Sequence, residues 1–260
     1  WVDLAIAGGR LSREMDAAAP ELTDRPELVL HRACHPALVT EAKNGGPEAV
    51  PFDLELGPED PMILITGPNT GGKTVVVKTA GLLAVMAHCG LHIPAAEGSR
   101  VGAYHRIVVD IGDPQSLANH VSTFAGHVEA LKGILAEADA HTLVLLDELG
   151  TGTDPEEGAA LAMAVLEELS SRGVQAVLTT HLSPLKTFAT DHDRIRNANM
   201  RFDHDRLAPT YQLEVGRPGA SLGLVVAEQG GLEAGVLERA RGHLARLRPE
   251  REEGTGGTGG

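Results

Sequence analysis

Aromatic side chains are scarce in this sequence, and so are positive charges. Only 3% of the 260 residues are aromatic, which leaves few side chains on which single-stranded nucleic acid can stack. The 22 lysines and arginines are outnumbered by 36 aspartates and glutamates, for a net charge of −14. Because modules that hold nucleic acid by themselves present basic surfaces, we expect any such contacts to come mostly from parts outside these residues.

Cysteines and long apolar runs are also few. The two cysteines, Cys34 and Cys89, lie far apart and form no metal-binding pattern, which fits buried thiols in a reducing cytoplasm. No apolar run reaches the roughly 18 residues of a membrane-spanning helix. The chain begins with neither an initiator methionine nor a signal-peptide pattern. We therefore expect a cytoplasmic protein with no membrane segment, and a chain that looks like a piece of a longer one.

The first part of the chain has mixed patterns. Residues 1–19 predict the end of a helix and residues 19–27 a linker. Two short strands, at 28–38 and 50–57, are expected to flank a loop rich in glycine and proline.

From residue 61 the pattern becomes a regular alternation of strands and helices. Strands are predicted at 62–66, 106–111, 142–147 and 174–180, and helices at 71–89, 122–138 and 155–172. An antiparallel pair is expected within 197–215, then an amphipathic helix over 232–247 and a flexible linker over 248–260. Apolar strands joined by helices predict an α/β fold: a mostly parallel sheet with helices on both faces, plus a small antiparallel part.

The stretch GPNTGGKT has the spacing of a phosphate-binding loop. Its glycines allow backbone N–H groups to surround a phosphate, and the helix that follows points its positive end at the same anion. Lys73 is expected to reach the β- and γ-phosphates of a nucleotide, and Thr74 to hold Mg²⁺. The residues expected to bind the nucleotide here are Gly67, Pro68, Asn69, Thr70, Gly71, Gly72, Lys73 and Thr74.

Polar residues at the ends of two later strands complete the predicted chemistry. Asp147 ends the strand TLVLLD, where its carboxylate can hold Mg²⁺ through water. Glu148 comes next and suits the base that positions or deprotonates the attacking water. His181 ends the following strand and is expected at the same sheet edge, in contact with the γ-phosphate or that water.

Five ordered motifs resemble the ATPase domain of the MutS family. They are ITGPNTGGKT, STF at 122–124, LLDELGTGTDPEEGAALA at 145–162, TTH at 179–181 and GASLGLVVA at 219–227. The resemblance covers about residues 28–247 and implies a P-loop NTPase of the ABC-ATPase type that uses ATP and Mg²⁺. Mismatch-repair members usually have arginine where this chain has Thr151, and serine where it has Thr74. Those departures, with ELGTGTDPEEG and GDPQSL, are similar to the MutS-two branch.

The resemblance also implies roles that the spacing alone does not supply. Two ATPase domains of a homodimer would enclose two nucleotides, with Ser122 reaching the γ-phosphate of the opposite subunit; alternatively, Ser122 only caps its helix. Val50 would pack on adenine and Tyr211 would stack near it, while Gln115 would contact water or Mg²⁺. Residues 1–19 would end a lever helix, the last helix would dimerise, and residues 248–260 would lead to an absent nuclease domain.

For the whole protein the resemblance implies duties of different classes. One is the binding of branched DNA, mainly through absent domains, coupled to an ATP-driven conformational cycle and to suppression of homologous recombination. An alternative is ribosome rescue, in which the ATPase separates collided ribosomes. A third is a structural dimerisation module without hydrolysis, which the full set of polar site residues disfavours.

Overall fold

A computed structural model describes residues 1–67, 71–112, 123–203, 206, 208–219 and 223–247. The helices are α1 (Val2–Glu14), α2 (Pro36–Lys43), α3 (Lys73–His88), α4 (Thr123–Glu137), α5 (Pro155–Ser171), α6 (Ser183–Thr190), α7 (Gly223–Gln229) and α8 (Ala234–Leu247). The strands are β1 (Glu21–Thr23), β2 (Leu28–Ala33), β3 (Phe52–Leu56), β4 (Met62–Thr66), β5 (Arg100–Gly102), β6 (Arg106–Asp110), β7 (Thr142–Leu146), β8 (Gln175–Thr179), β9 (Ile195–Asp203) and β10 (Ala208–Val215).

The main sheet has six strands in the order β10-β9-β4-β8-β7-β6. Only β10 runs antiparallel to its neighbour, and the other pairs are parallel. All five residues of β4, β7 and β8 are buried, as expected for parallel strands that are covered on both faces. Because β4 lies between β9 and β8, the loop that follows β4 emerges near the middle of one sheet edge.

The two faces of the main sheet carry separate apolar cores. Ile63 and Ile65 of β4 point into a core formed with α3 and the smaller sheet. Met62 and Leu64 point the other way, into a core formed with α4, α5 and α6. This alternation follows from the two-residue period of a strand. The sheet with helices on both faces, together with the antiparallel β9–β10 pair, confirms the predicted α/β architecture.

The smaller sheet has the order β1-β5-β2-β3 and packs against the α3 side of the main sheet. The pairs β5–β2 and β2–β3 are antiparallel, while β1 pairs with β5 in parallel. Inward-facing leucines of β2 and β3 are almost fully buried in that core. This sheet supplies the second layer on the face that α3 also covers.

Several local predictions were wrong. The helix predicted over residues 1–19 ends at Glu14, and the predicted linker contains β1. The strand predicted over 28–38 ends at Ala33, because His35 caps α2: its ring nitrogen accepts the Ala37 N–H, and Pro36 fits the first helical turn. Besides β1 and α2, the short elements β5, α6 and α7 were not predicted. Among the helices in the described ranges, none is both long and apolar enough to span a bilayer.

Candidate functional site

Two glycines bound the described parts of the phosphate loop. Gly67 follows β4 with φ 128°, and Gly72 precedes α3 with φ 91°. Glycine adopts this left-handed region at little steric cost. Gly71 is buried beside Gly72, whereas Pro68, Asn69 and Thr70 lie outside the described residues. The chain therefore turns sharply at both ends of the loop, directly before the N-terminus of α3.

Lys73, the first residue of α3, folds back over this loop. It is 2% exposed, and its Nζ donates a hydrogen bond of 2.8 Å to the Gly67 carbonyl. Burial lowers the pKa of Lys73, while the negative charges of Glu148 and Asp147 act in the opposite direction. A cation held out of water next to acidic groups is suited to binding a polyphosphate, because the added negative charge compensates for its lost hydration.

Asp147 connects α3 to two strand ends. It is 7% exposed. Its Oδ2 accepts a hydrogen bond of 2.6 Å from the Thr74 hydroxyl, and its Oδ1 accepts one of 2.5 Å from the Thr179 hydroxyl. The two predicted metal residues, Thr74 and Asp147, therefore lie in direct contact. Both offer oxygen atoms, the ligands that Mg²⁺ prefers, so these residues fit a magnesium ion.

Thr179 is a site residue that the sequence analysis missed. Besides bonding Asp147, its hydroxyl accepts the Glu148 N–H at 2.8 Å. Its carbonyl accepts the Leu149 N–H, and the Thr180 hydroxyl donates to the Leu149 carbonyl. The two threonines before the histidine in TTH thus hold the acidic turn in place. The sequence shows two hydroxyl residues at this strand end, but their pairing with the acidic turn depends on β7 and β8 being neighbours in the sheet.

Glu148 has a strained backbone. Its φ is 56°, in the left-handed region, which costs a residue other than glycine on the order of 1–3 kcal/mol. The hydrogen bond that the Glu148 N–H donates to Thr179 and the one that Thr180 donates to the Leu149 carbonyl maintain this turn. Such strain is concentrated at functional sites, where the surroundings over-determine the backbone. The partly buried Glu148 side chain is thereby kept beside Asp147 at the sheet edge.

His181 lies at the same edge. It follows the end of β8, which pairs with β4 on one side and with β7 on the other. The exposed His181 therefore emerges between the phosphate loop after β4 and the acidic turn after β7. The structure brings all three predicted strand ends together.

Val50 and Tyr211 line one apolar cavity of about 330 Å³, together with Gly72, Val75 and Met200. Tyr211 has φ 58° and falls in a register shift of β10 between Pro209 and Leu213. Irregularities of this kind re-aim side chains. A Cβ added at Gly72 would lie 3.2 Å from the Tyr211 ring, so the ring packs over the start of α3. Val50 and Tyr211, the two residues that the resemblance places near adenine, therefore share a cavity beside the phosphate loop.

Ser122 and Gln115 lie outside the described residues. The described part of the helix that was predicted over 122–138 is Thr123–Glu137. The loop over 150–154, next to the acidic turn, turns at Gly150 and Gly152, whose φ values are 84° and 93°. It ends at Asp154, whose carboxylate accepts N–H groups in the first turn of α5.

Comparison with known proteins decides the family. The family model of MutS domain V matches residues 63–248. The chain belongs to the MutS domain V family. The match begins inside β4 and extends past α8, so it includes the phosphate loop and the acidic strand end. A MutS domain V has the P-loop ATPase fold, which confirms the predicted fold class and the resemblance from which it was drawn.

Curated relatives of this MutS domain V carry the name endonuclease MutS2. The protein of Carboxydothermus hydrogenoformans is 48% identical over 243 residues, which are 94% of this chain and 30% of the relative. That of Symbiobacterium thermophilum is 46% identical with the same coverage. That of Thermomicrobium roseum is 47% identical over 96% of this chain and 32% of the relative. The chain spans about a third of the length of these relatives, whose name matches the branch that the motifs indicate.

Proposed function

We propose that this MutS domain V binds ATP with Mg²⁺ and hydrolyses it. The observation that carries the proposal is the hydrogen-bonded chain through Asp147, which joins the hydroxyl of Thr74 to the strand end of Thr179. It gathers the predicted metal residues and the acidic turn at one sheet edge, next to the phosphate loop. Thr74 and Asp147 would hold the Mg²⁺, which neutralises phosphate charge when bound.

Each remaining site residue has a chemical role in this proposal. Lys73 binds the β- and γ-phosphates from the start of α3. Glu148 accepts a proton from a water molecule as that water attacks the γ-phosphorus and the bond to the bridging oxygen breaks, which leaves ADP and phosphate. His181 contacts the γ-phosphate or the attacking water. The shared position of these residues at one edge supports the assignment.

The adenine base would occupy the cavity lined by Val50 and Tyr211. Its volume of about 330 Å³ is at the lower end of the range for small-molecule sites, and it is mostly apolar, as such sites are. A base packed against Val50 would lie next to Gly72, within reach of the phosphate loop. Tyr211, half exposed, would cover its outer side.

We further propose that two copies form a homodimer whose ATPase domains face each other. In that arrangement Ser122 completes the partner's nucleotide site, and the C-terminal helices α7 and α8 pair with those of the partner. Exposed apolar side chains in this region, Val226 and Leu232, support a covered surface there. The helix α1 (Val2–Glu14) would be the end of a lever helix, and residues 248–260 would link this domain to the next.

For the whole protein we propose binding to branched DNA in the cytoplasm and suppression of homologous recombination. The relatives are named endonucleases, which supports a nucleic-acid partner. The net charge of −14 argues that most DNA contacts lie in the remaining length of such proteins and not in this domain. ATP binding and hydrolysis would then open and close the dimer around that partner.

The Glu148→Gln variant tests the proposed hydrolysis. It keeps the shape of the side chain but cannot accept a proton, so we expect ATP affinity within about threefold of the original and turnover lowered by roughly 10²-fold or more. Phosphate release and a fluorescent-ATP titration measure the two quantities, and the dimer that accumulates with ATP is followed by light scattering.

The matched control is Glu167→Gln, an exposed position on α5 that removes the same charge far from the sheet edge. It should leave turnover unchanged. If Glu148→Gln hydrolysed ATP at the original rate, the assigned base would be wrong. If the original chain bound no ATP, the structural dimerisation module would replace the enzyme.

A further inference from the structure

A partly buried pair of Asp110 and His127 lies beside the acidic turn, outside the residues assigned above. Asp110 ends β6, and His127 lies about one turn into α4. His127 Nδ1 is 2.8 Å from Asp110 Oδ2, and the two side chains are only 24% and 19% exposed. By contrast, the Lys132–Glu129 pair on the same helix is more than 70% exposed on both sides. An enclosed pair holds its elements together more firmly than an exposed one, which contributes little.

Asp110 also touches the acidic strand end directly. Its backbone carbonyl accepts the Asp147 N–H at 2.9 Å, while its carboxylate holds His127. One residue therefore fastens α4 with its side chain and the end of β7 with its backbone. A shift of α4 relative to β6 would therefore displace Asp110, and the hydrogen bond from Asp147 to the Asp110 carbonyl would transmit that displacement to Asp147.

A small cavity lies between α4 and Glu148. His127, Asp110 and Glu148 line a small cavity of about 20 Å³, which is enough room for about one water molecule. The hydrogen bond that His127 makes to the Asp110 carboxylate raises the pKa of His127, and the charge of Glu148 acts in the same direction. The His127 ring thus faces the carboxylate turn across a space that suits one bridging water.

The loop after Glu148 closes the same region. A Cβ added at Gly152 would lie 3.2 Å from the backbone nitrogen of Phe124, so this loop packs directly on the first turn of α4. The start of α4 is therefore held on one side by Asp110 and on the other by the loop that continues from Glu148.

We propose that His127 and Asp110 act as a positioning pair for hydrolysis, because they fix α4 against the strand end and turn that carry Asp147 and Glu148. The inference rests on the proposed ATPase function. Neither residue lines the cavity proposed for adenine or belongs to the phosphate loop. Loss of the pair is expected to misplace Glu148 and to slow hydrolysis, while nucleotide affinity stays nearly unchanged.

The test uses the 260-residue chain with the variants His127→Ala, Asp110→Ala and both together. Each single variant should lower kcat by about tenfold or more, with the Kd for fluorescent ATP within about twofold. The double variant should be no slower than the slower single one, since either change removes the same pair. His127→Gln, whose amide can donate to Asp110, should recover much of the lost kcat.

Lys132→Ala is the matched control, because it breaks an exposed ion pair on the same helix and should leave kcat unchanged. The inference is overturned if folded His127→Ala hydrolyses ATP at the original rate. It is also overturned if Kd rises as much as kcat falls, if the two single effects multiply, or if Lys132→Ala is equally slow. Absence of turnover in the original chain would overturn the proposed ATPase and this inference together.

Discussion

Replacing Thr179 with valine removes one hydroxyl and almost nothing else. Valine has nearly the same shape, and the site is fully buried. The lost hydroxyl donates to Asp147 at 2.5 Å and accepts the Glu148 N–H at 2.8 Å. The substitution therefore removes one hydrogen-bond donor from the buried Asp147 carboxylate and removes the acceptor of the Glu148 N–H. The strained turn at Glu148 loses one of its restraints.

The size of the effect follows from those two bonds. A hydrogen bond to a charged group contributes about 1.5–3 kcal/mol, and a buried donor left unpaired costs about 1–3 kcal/mol. The methyl group that replaces the hydroxyl stabilises the folded state by about 1 kcal/mol through apolar burial. The free energy of unfolding should therefore fall by about 2–4 kcal/mol, which is a drop in Tm of roughly 5–15 °C for a domain of this size.

Urea unfolding followed by circular dichroism measures this change, with Thr187→Val as the control. Thr187 is exposed on α6, so the same substitution there should stay within about 0.5 kcal/mol. A double-mutant cycle with Asp147→Asn isolates the bond between the two side chains, and its coupling energy should exceed about 1 kcal/mol. If Thr179→Val were as stable as the original chain, the hydroxyl would not hold the acidic turn as described.

Two further predictions concern stability. Because Asp110 raises the pKa of His127, the stabilisation from this histidine is complete below its unfolded pKa of about 6.5 and is lost as pH rises through the higher folded value. The difference in the free energy of unfolding between the original chain and His127→Gln, measured by urea unfolding, should therefore be larger near pH 6 than near pH 9. A difference that grows with pH would contradict this. A Cβ at Gly219 would lie 3.1 Å from Thr66 Oγ1 and 3.2 Å from the Gly67 nitrogen. Gly219→Ala should therefore lower the free energy of unfolding by about 1–3 kcal/mol through crowding. An unchanged Tm in a thermal melt would refute this prediction.

The sequence predicted the long elements well because each had a strong local signal. The strands β4, β7 and β8 are short, continuous apolar runs, and α3 and α5 have clear starts, at a phosphate-loop glycine and at a proline after Asp154. The helix α2 was missed because its first apolar residues closely follow β2, and the helix depends on a cap from His35. Short elements such as β5 depend on their neighbours for hydrogen bonds, which local patterns do not reveal.

Within the candidate site, the sequence predicted most of the site residues but not the tertiary contacts that hold them together. Asp147, Glu148 and His181 follow from strand ends that share an edge. The role of Thr179 arises from tertiary contact between β7 and β8, and neither hydroxyl nor carboxylate alone signals it. Tyr211 depends on an irregular β10, whose exposed strand carries no strong pattern. Such links appear only once the strand order is known.

The strand order also has a consequence for how the chain is made. β4 is the first strand of the main sheet to be synthesised, yet its partners are β8, which begins at Gln175, and β9, which begins at Ile195. At about 5–20 residues per second, its four buried apolar residues wait roughly ten seconds for a neighbouring strand. During that time both of its edges can pair with another chain. A ribosome that stalls before β8 would therefore hold an aggregation-prone segment, and the phosphate loop cannot be fixed in place until nearly the whole domain has emerged.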